Sequence, residues 1–133
     1  MSLKDVVSVS GLPGLYKLVT PRSNGLIIQD YDTDKRRFVS VRKHHITPLE
    51  SVSIYTVTDS VEMKVIFRRM IEQLEDHPVP NPKAPETEIM EYFEDIVPDY
   101  DKTRVYPKDV RKVIKWFGFL YERKLLLAGD EEE

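Results

Sequence analysis

The sequence predicts an α+β fold in which an antiparallel β-sheet comes first and helices follow. Short runs rich in β-branched and aromatic residues fill the first 58 residues, as is typical of strands. Apolar residues at helical spacing recur after residue 59. The segment HPVPNPKAP at 77–85 separates the first predicted helix from the later ones. Its four prolines can neither continue a helix nor join the interior of a sheet.

These observations divide the chain into four predicted parts. A sheet with a closing helix spans residues 1–76, and a proline-rich linker spans 77–85. A helical domain follows at 86–128, and the acidic tail GDEEE occupies 129–133. We expect the linker to be extended and fairly stiff, and the tail to be disordered because it lacks apolar anchors.

The elements of the first block follow in order. LKDVVSV at 3–9 predicts a short opening helix, which the turn GLPG at 11–14 ends. Strands are predicted at 15–20, 25–31, 37–41 and 52–57. Asn24-Gly25 is a strong hairpin signal, and TPLE at 47–50 predicts one helical turn capped by Thr47.

Two of these strands predict a specific pairing. A tight turn at 32–35 would place Ile28 opposite Val39, so that the apolar residues of both strands share one face. Asp30 would then face Arg37 as a cross-strand charge pair.

Three helices complete the prediction. The first, at 60–75, carries apolar residues at i, i+3, i+4 and i+7, which is typical of a helix facing a core. The second, at 87–97, stops at Pro98. The third begins at Pro107, and Gly118 lies either inside it or at its end.

Composition limits the function classes. The chain has 133 residues and no cysteine, which excludes disulfides and thiolate zinc sites and fits a cytoplasmic protein. The net charge of −3 disfavours a duplex-DNA binder of the usual kind. No apolar run approaches the ~20 residues that span a bilayer, and the opening MSLKDVVSVSG does not resemble a signal peptide, so we expect no membrane association.

Catalytic signals are weak. The chain has three histidines, and adjacent His44 and His45 would point to opposite faces of a strand. The sequence contains no phosphate-binding glycine loop, no Gly-x-Ser-x-Gly and no His-Glu-x-x-His. We therefore predict no catalytic residue, no metal site and no cofactor, and an enzyme is the least favoured class.

Binding signals are stronger and centre on KRRFVSVRKHH at 35–45, which has five lysines and arginines and no acid. An outward-facing basic strand with aromatic residues could stack bases and contact phosphates, as single-strand binders do. Alternatively, the acids across the turn could neutralise it as an ordinary strand edge. The candidate binding residues on this strand and next to it are Tyr31, Arg36, Phe38, Arg42 and Lys43.

Two further features belong to the third helix. Trp116 is the only tryptophan, and it is either a packing residue or, if exposed, an interface anchor. The segment 98–117 also contributes basic residues that could contact nucleic acid, although acids lie around them: Arg104, Lys108, Arg111, Lys112 and Lys115.

Several stretches resemble one family. LKDVVSVSGLPGLYKLV, NGLIIQDYD, ITPLESVSIYT and YFEDIVPDYDKTRVYPKDVRKVIKWF are similar to a widespread bacterial family of proteins of unknown function. The resemblance implies a small SH3-like β-barrel at about 1–58, closed by the helix at 60–75, with a helical C-terminal segment. It also implies a cytoplasmic bacterial setting, and it brings no activity, cofactor or catalytic residue with it.

The sequence thus predicts a non-enzymatic binding module whose partner is a protein. Its surface would be the outer sheet face together with the region of Trp116. RNA or single-stranded DNA is the alternative partner, bound through residues 35–45. The oligomeric state is left open by the sequence.

Overall fold

The computed structural model describes residues 3–126, which form two compact units. The first comprises residues 3–52, and the described part of the second comprises residues 53–126. The fold is α+β, with an antiparallel sheet in the first unit and helices in the second. The predicted domain boundaries stay a prediction. The two compact units divide between residues 52 and 53, upstream of the proline segment, because the strands and helix that follow residue 52 belong to the helical unit.

The first unit is a five-stranded antiparallel sheet in the order β4-β3-β2-β1-β5. Its strands are β1 Val6–Val9, β2 Tyr16–Arg22, β3 Gly25–Asp30, β4 Arg36–Ser40 and β5 Ile46–Pro48, and a 3₁₀ turn, Leu49–Ser51, follows. Among the described residues, no pairing joins the two outer strands β4 and β5, so the sheet is open. The predicted closed barrel is therefore corrected, since edge strand β5 has only three residues, the last of which is proline.

The predicted opening helix is wrong, because residues 6–9 form strand β1 in the middle of the sheet. Val6, Val7 and Val9 are β-branched and buried, which favours a strand. Asp5 precedes the strand with a φ of 65°, a left-handed conformation that ends any helical continuation. The helical turn at 47–50 is shifted to 49–51 and has no side-chain cap.

The core of this unit lies on one face of the sheet. Val7, Val9, Ile28 and Val39 are each at most 1% exposed and pack together. Partly buried apolar side chains surround them: Leu12, Tyr16, Leu18, Leu26 and Ile46. On β3 and β4, side chains at the alternate positions form the outer face.

The pairing of β3 with β4 differs from the prediction by two residues. Ile28 lies opposite Arg37, and Val39 lies opposite Leu26. A shift of two preserves which side chains share a face, so the predicted inward positions of Ile28 and Val39 are confirmed. The predicted pairing of Asp30 with Arg37 is wrong, because Arg37 lies opposite Ile28.

The second unit begins with a two-stranded ribbon, β6 Ser53–Tyr55 and β7 Ser60–Glu62. Three helices follow: α1 Met63–Glu72, α2 Glu86–Ile96 and α3 Pro107–Glu122. The predicted helix at 60–75 thus starts three residues later, because residues 60–62 pair with β6. The other two helices lie where the sequence predicts them, and Gly118 lies inside α3.

Aromatic residues from all three helices build the core of the second unit. Phe67 of α1 lies 6.0 Å from Phe117 of α3, measured between ring centroids. Phe93 of α2 lies 5.4 Å from Tyr100 of the crossover before α3. The tilted geometry of both pairs is the one that aromatic rings prefer.

The proline segment between α1 and α2 is held to α3 by the side chain of Arg111. Nη1 of Arg111 donates to the carbonyl oxygens of Pro82 at 2.7 Å and Ala84 at 2.8 Å. The segment is thus anchored at its C-terminal end. The predicted acidic tail at 129–133 lies outside the described residues.

Candidate binding surface

Strand β4 forms one edge of the sheet and carries the centre of the predicted basic strand. It pairs with β3 on one side, and the described residues place no strand on the other. The N–H of Val41 donates to the carbonyl of Asn24 at 3.0 Å. Because such bonds alternate along an antiparallel strand, odd-numbered β4 residues use their backbone groups toward β3. The N–H and C=O groups of Arg36 and Phe38 therefore face the open edge.

Phe38 presents an aromatic ring on the outer face at this edge. Its side chain is 47% exposed, whereas that of Val39, which lies on the core face, is 1% exposed. Phe38 lies opposite Ile27 of β3, which is half-buried on the same outer face. These two side chains form a small apolar patch beside backbone groups that pair with no strand of residues 3–126, and that combination suits an added strand.

Arg36 is positioned by a chain of side-chain hydrogen bonds. Its Nε donates to Oε1 of Gln29 at 3.0 Å, and Nε2 of Gln29 donates to Oδ1 of Asp34 at 3.2 Å. The predicted charge compensation across the turn is thus in part indirect, through the Gln29 amide. Oδ1 of Asp30 accepts the backbone N–H groups of Asp32 and Thr33, which shapes the loop.

Tyr31 begins the loop between β3 and β4. Burial raises the pKa of its phenol to about 12, and the negative charge of Asp5 adds to this rise. The neutral phenol at the end of β3 is partly buried and is therefore less available to a partner than Phe38.

Arg42 and Lys43 lie in the turn that follows β4. The N–H of Arg42 donates to Oγ of Ser40 at 3.1 Å, and the N–H of Lys43 donates to the Ser40 carbonyl at 3.2 Å. Next along the chain, Nδ1 of His44 lies 2.8 Å from the carbonyl oxygen of Ser10. The turn is thus tied to the loop after β1, and both basic side chains are exposed.

Trp116 belongs to the second unit, where it lies half-buried on α3. The basic residues near it have different surroundings. Arg104 donates from Nε to Oδ2 of Asp101 at 2.9 Å, and its guanidinium lies 4.2 Å from the ring centre of Tyr55. Arg104 and Arg111 thus contact their own unit, whereas Lys108, Lys112 and Lys115 are exposed.

A groove on the second unit was not predicted. It has a volume of about 640 Å³ and runs between the proline segment and the C-terminal half of α3. Its lining is mostly apolar: Leu74, Pro78, Val79, Pro80, Pro82, Ile114, Phe117, Gly118, Phe119 and Tyr121, with Lys115, Glu122 and Arg123. The signal that could have indicated it is Gly118, which interrupts an otherwise regular amphipathic helix.

Neither a metal-binding cluster nor a membrane-spanning helix occurs among residues 3–126. Within that range, no three histidines, aspartates or glutamates are grouped so as to hold a metal ion. Each helix in the same range is too short or too polar to cross a bilayer.

Comparison with known families gives two matches that together cover most of the chain. The family described as Domain of unknown function (DUF5606) matches residues 3–49. The family described as Domain of unknown function (DUF6852) matches residues 52–120. The junction between them coincides with the division between the two compact units.

A solved structure is also similar. It is the solution NMR structure of a structural genomics target from Bacteroides vulgatus, which is 26% identical in sequence. The match covers 99% of this chain and 98% of that chain, with a TM-score of 0.77. No curated protein matches the sequence.

Proposed function

Since the chain belongs to the family described as Domain of unknown function (DUF6852), whose name states no activity, we propose a function from its own surface. The chain is a non-enzymatic protein-binding module, and the β4 edge takes up an extended, acidic segment of a partner protein. The observation that carries this proposal is an exposed aromatic residue on an edge strand with outward-facing backbone groups.

Backbone pairing supports an extended peptide as the partner. A peptide that adds a strand to a sheet edge gains main-chain hydrogen bonds, while alternate side chains meet the surface beside the edge. Arg36 and Phe38 each offer one N–H and one C=O there. An apolar side chain of the peptide would lie against Phe38 and Ile27.

The charge around the edge supports an acidic peptide. Arg36 and Arg37 lie in the strand, and Lys35, Arg42 and Lys43 flank it, with no acid between residues 35 and 45. Complementary charge raises the association rate and selects against basic partners. The exposed ends of these side chains contribute little binding energy in water, so the aromatic contact is expected to dominate affinity.

RNA or single-stranded DNA is the second candidate, because Phe38 lies among arginines and could stack on a base. One feature favours a peptide instead: nucleic acid has no peptide groups to pair with the backbone edge.

The test uses the full chain labelled with ¹⁵N and three probes. These are a short peptide of alternating valine and glutamate, the same peptide with lysine in place of glutamate, and oligouridylate. We expect the acidic peptide to shift the amide signals of residues 36–40 and the other two to leave them unchanged. Shifts from oligouridylate alone, weakening steeply with salt, would support the nucleic-acid alternative instead. No shift from any probe would remove both.

Matched variants locate the contact. Phe38→Ala removes the aromatic anchor and is expected to weaken peptide binding at least tenfold, since central aromatic residues dominate many interfaces. Lys108→Glu changes an exposed charge on α3 of the second unit and should leave binding nearly unchanged. Equal effects of the two variants would contradict a contact at the β4 edge.

We also propose an SH3-like fold, a bacterial setting and a cytoplasmic location. An SH3-like arrangement, without closure, is supported by the strand order β4-β3-β2-β1-β5 and by the 3₁₀ turn beside β5. A bacterial setting is supported by the source of the similar solved structure. A cytoplasmic location stays a prediction from the lack of cysteine.

A further inference from the structure

Helix α3 contains a glycine, Gly118, although no packing contact among the described residues requires a glycine there. Gly118 lies in the C-terminal half of α3, where glycine lowers helix stability relative to alanine. A Cβ atom added there would meet nothing within 4 Å. The helix backbone is therefore bare at this point, on the floor of the groove.

The surroundings of Gly118 are apolar and partly exposed to solvent. The rings of Phe117 and Tyr121 stack with centroids 5.3 Å apart and planes 12° apart. Phe117 is buried, while Tyr121 is 45% exposed on the wall of the groove. A large aromatic surface thus lies next to a bare stretch of backbone.

We propose that this groove binds a second copy of the chain, with two α3 helices crossing antiparallel at Gly118. The inference goes beyond the proposed function, because it concerns a different unit and a different partner. Close approach of two helix backbones requires a small residue at the crossing point, and glycine allows the shortest distance between axes.

Charge complementarity selects a second copy as the occupant. At 100° per residue, Lys115 and Glu122 lie on the same side of the helix face centred on Gly118. They lie three residues before and four residues after it. When two copies run in opposite directions, Lys115 of each therefore lies beside Glu122 of the other, and the pair forms twice.

The other side of the same helix face is apolar and equally self-complementary. Ile114 lies four residues before Gly118 and Tyr121 three residues after it. In the antiparallel crossing, Tyr121 of each copy enters the groove of the other beside Ile114. Such a contact is isologous, so that it closes as a dimer and does not extend into a filament.

The charged residues are accessible for these pairs. Lys115 is exposed, and the side chain of Glu122 is 75% exposed. Oε1 of Glu122 accepts a hydrogen bond from Nη1 of Arg123 at 3.1 Å, which leaves Oε2 for Lys115 of the second copy. These pairs fix the register, whereas burial of the tyrosine and the groove supplies the affinity.

The first experiment measures the mass of the full chain by sedimentation equilibrium across a wide range of concentrations. We expect a transition from the monomer mass of 15.6 kDa to twice that mass as the concentration rises. A chain that stays monomeric throughout overturns the proposal, whichever other occupant the groove takes.

Gly118→Ala separates helix stability from association. At low concentration the variant should be more stable than the wild type, with Tm higher by about 4 °C, because alanine is the better helix former. Its dimerisation should nevertheless weaken at least tenfold, because the methyl group holds the two backbones apart. A dimer that forms as tightly as that of the wild type would contradict the crossing at Gly118.

Charge exchange tests the antiparallel register. Lys115→Glu should weaken dimerisation by placing two carboxylates together, and the double variant Lys115→Glu/Glu122→Lys should restore it. Lys112→Glu is the control, since Lys112 points about 120° away from Gly118 around α3 and does not line the groove. If the double variant fails to restore association, or if Lys112→Glu weakens it equally, the proposal is wrong.

Discussion

Because Gly25 has no side chain, the start of β3 can lie close to the end of β4. A Cβ atom at this position would collide with the carbonyl oxygen of Val39 and lie 2.8 Å from Cζ of Phe38. The first clash involves backbone, which cannot turn away as a flexible side chain can. Gly25 is thus required by close approach of the two strands rather than by a positive φ.

We therefore predict that Gly25→Ala destabilises the sheet by about 1–3 kcal/mol, as overpacking of a well-packed site does. Urea unfolding monitored by circular dichroism measures the loss. Gly118→Ala, measured at a concentration low enough to keep the chain monomeric, serves as the matched control, because its new methyl group meets open space. Equal stability losses in the two variants would show that helix and strand propensity, and not the clash, determine the effect.

Asp101 is the other residue whose surroundings determine a measurable property. Its Oδ1 accepts hydrogen bonds from the hydroxyl of Thr103 at 2.6 Å and from the Thr103 N–H at 2.9 Å. Oδ2 accepts from Arg104. These contacts lower the pKa of Asp101 from 3.8 to about 2, and the hydrogen bonds from Thr103 make the largest contribution.

The lowered pKa predicts how stability depends on pH. Because the pKa in the folded state lies below its unfolded value, the ionised carboxylate stabilises the fold above about pH 4. That contribution is lost as the pH falls toward 2. Carboxyl ¹³C shifts measured against pH should give a midpoint near 2 for Asp101, and Thr103→Val should move that midpoint upward. An unchanged midpoint in Thr103→Val would contradict the assignment of Thr103 as the main cause.

At the scale of single elements, α3 begins with a defined cap. The N–H of Tyr106 donates to Oδ2 of Asp109 at 2.9 Å, and Pro107 occupies the first turn, where its missing N–H costs nothing. The carboxylate also lies at the positive end of the helix.

Asp109→Ala is expected to destabilise the second unit by about 1 kcal/mol, since it removes both the capping contact and the favourable charge. Thermal unfolding measures this change. Glu88→Ala is the control, because Glu88 lies in the first turn of α2, whose N-cap has no side-chain hydrogen bond. A larger loss in Glu88→Ala would show that charge at a helix start matters more here than the cap.

Alternation along the strands predicted that Ile28 of β3 and Val39 of β4 point inward, because a period of two does not depend on register. It could not predict the register, which the loop determines. Asp34 adopts a φ of 61°, and Asp30 accepts hydrogen bonds within the loop, so the loop closes two residues away from the predicted pairing. The opening strand was missed because Leu3, Val6 and Val7 also match helical spacing, and the sheet partners that decide the matter lie far along the chain.

The candidate site was predictable to the same degree. The outward position of Phe38 and Arg36 follows from alternation alone. The hydrogen bonds from Arg36 to Gln29, the tie between His44 and Ser10, and the groove beside Gly118 depend on contacts between distant segments. Local sequence patterns contain no information about such contacts.

At the scale of the whole chain, two units of different class adjoin at residues 52 and 53. The helical unit contains its own aromatic core, with Phe67 against Phe117 and Phe93 against Tyr100. The sheet unit is small, and domains of ~50 residues bury little surface and are marginally stable.

We expect a fragment of residues 53–133 to fold by itself, with dispersed amide signals and a cooperative thermal transition. A fragment of residues 1–52 should be less stable than the same residues in the full chain. Two-dimensional NMR spectra of both fragments, compared with those of the full chain, test this expectation. A collapsed spectrum for 53–133 would show that its core does not suffice.

The two hydrogen bonds from Arg111 to the carbonyl groups of Pro82 and Ala84 should also lower the rate at which a protease cleaves the proline segment. Cleavage requires a stretch of backbone to be drawn out into the enzyme's cleft, and a segment held to a helix resists this. Lysine at position 111 would keep the charge but replace a rigid planar donor by a single mobile ammonium group. Trypsin should therefore cut the bond after Lys83 sooner in Arg111→Lys than in the wild-type chain, which mass spectrometry of the fragments measures.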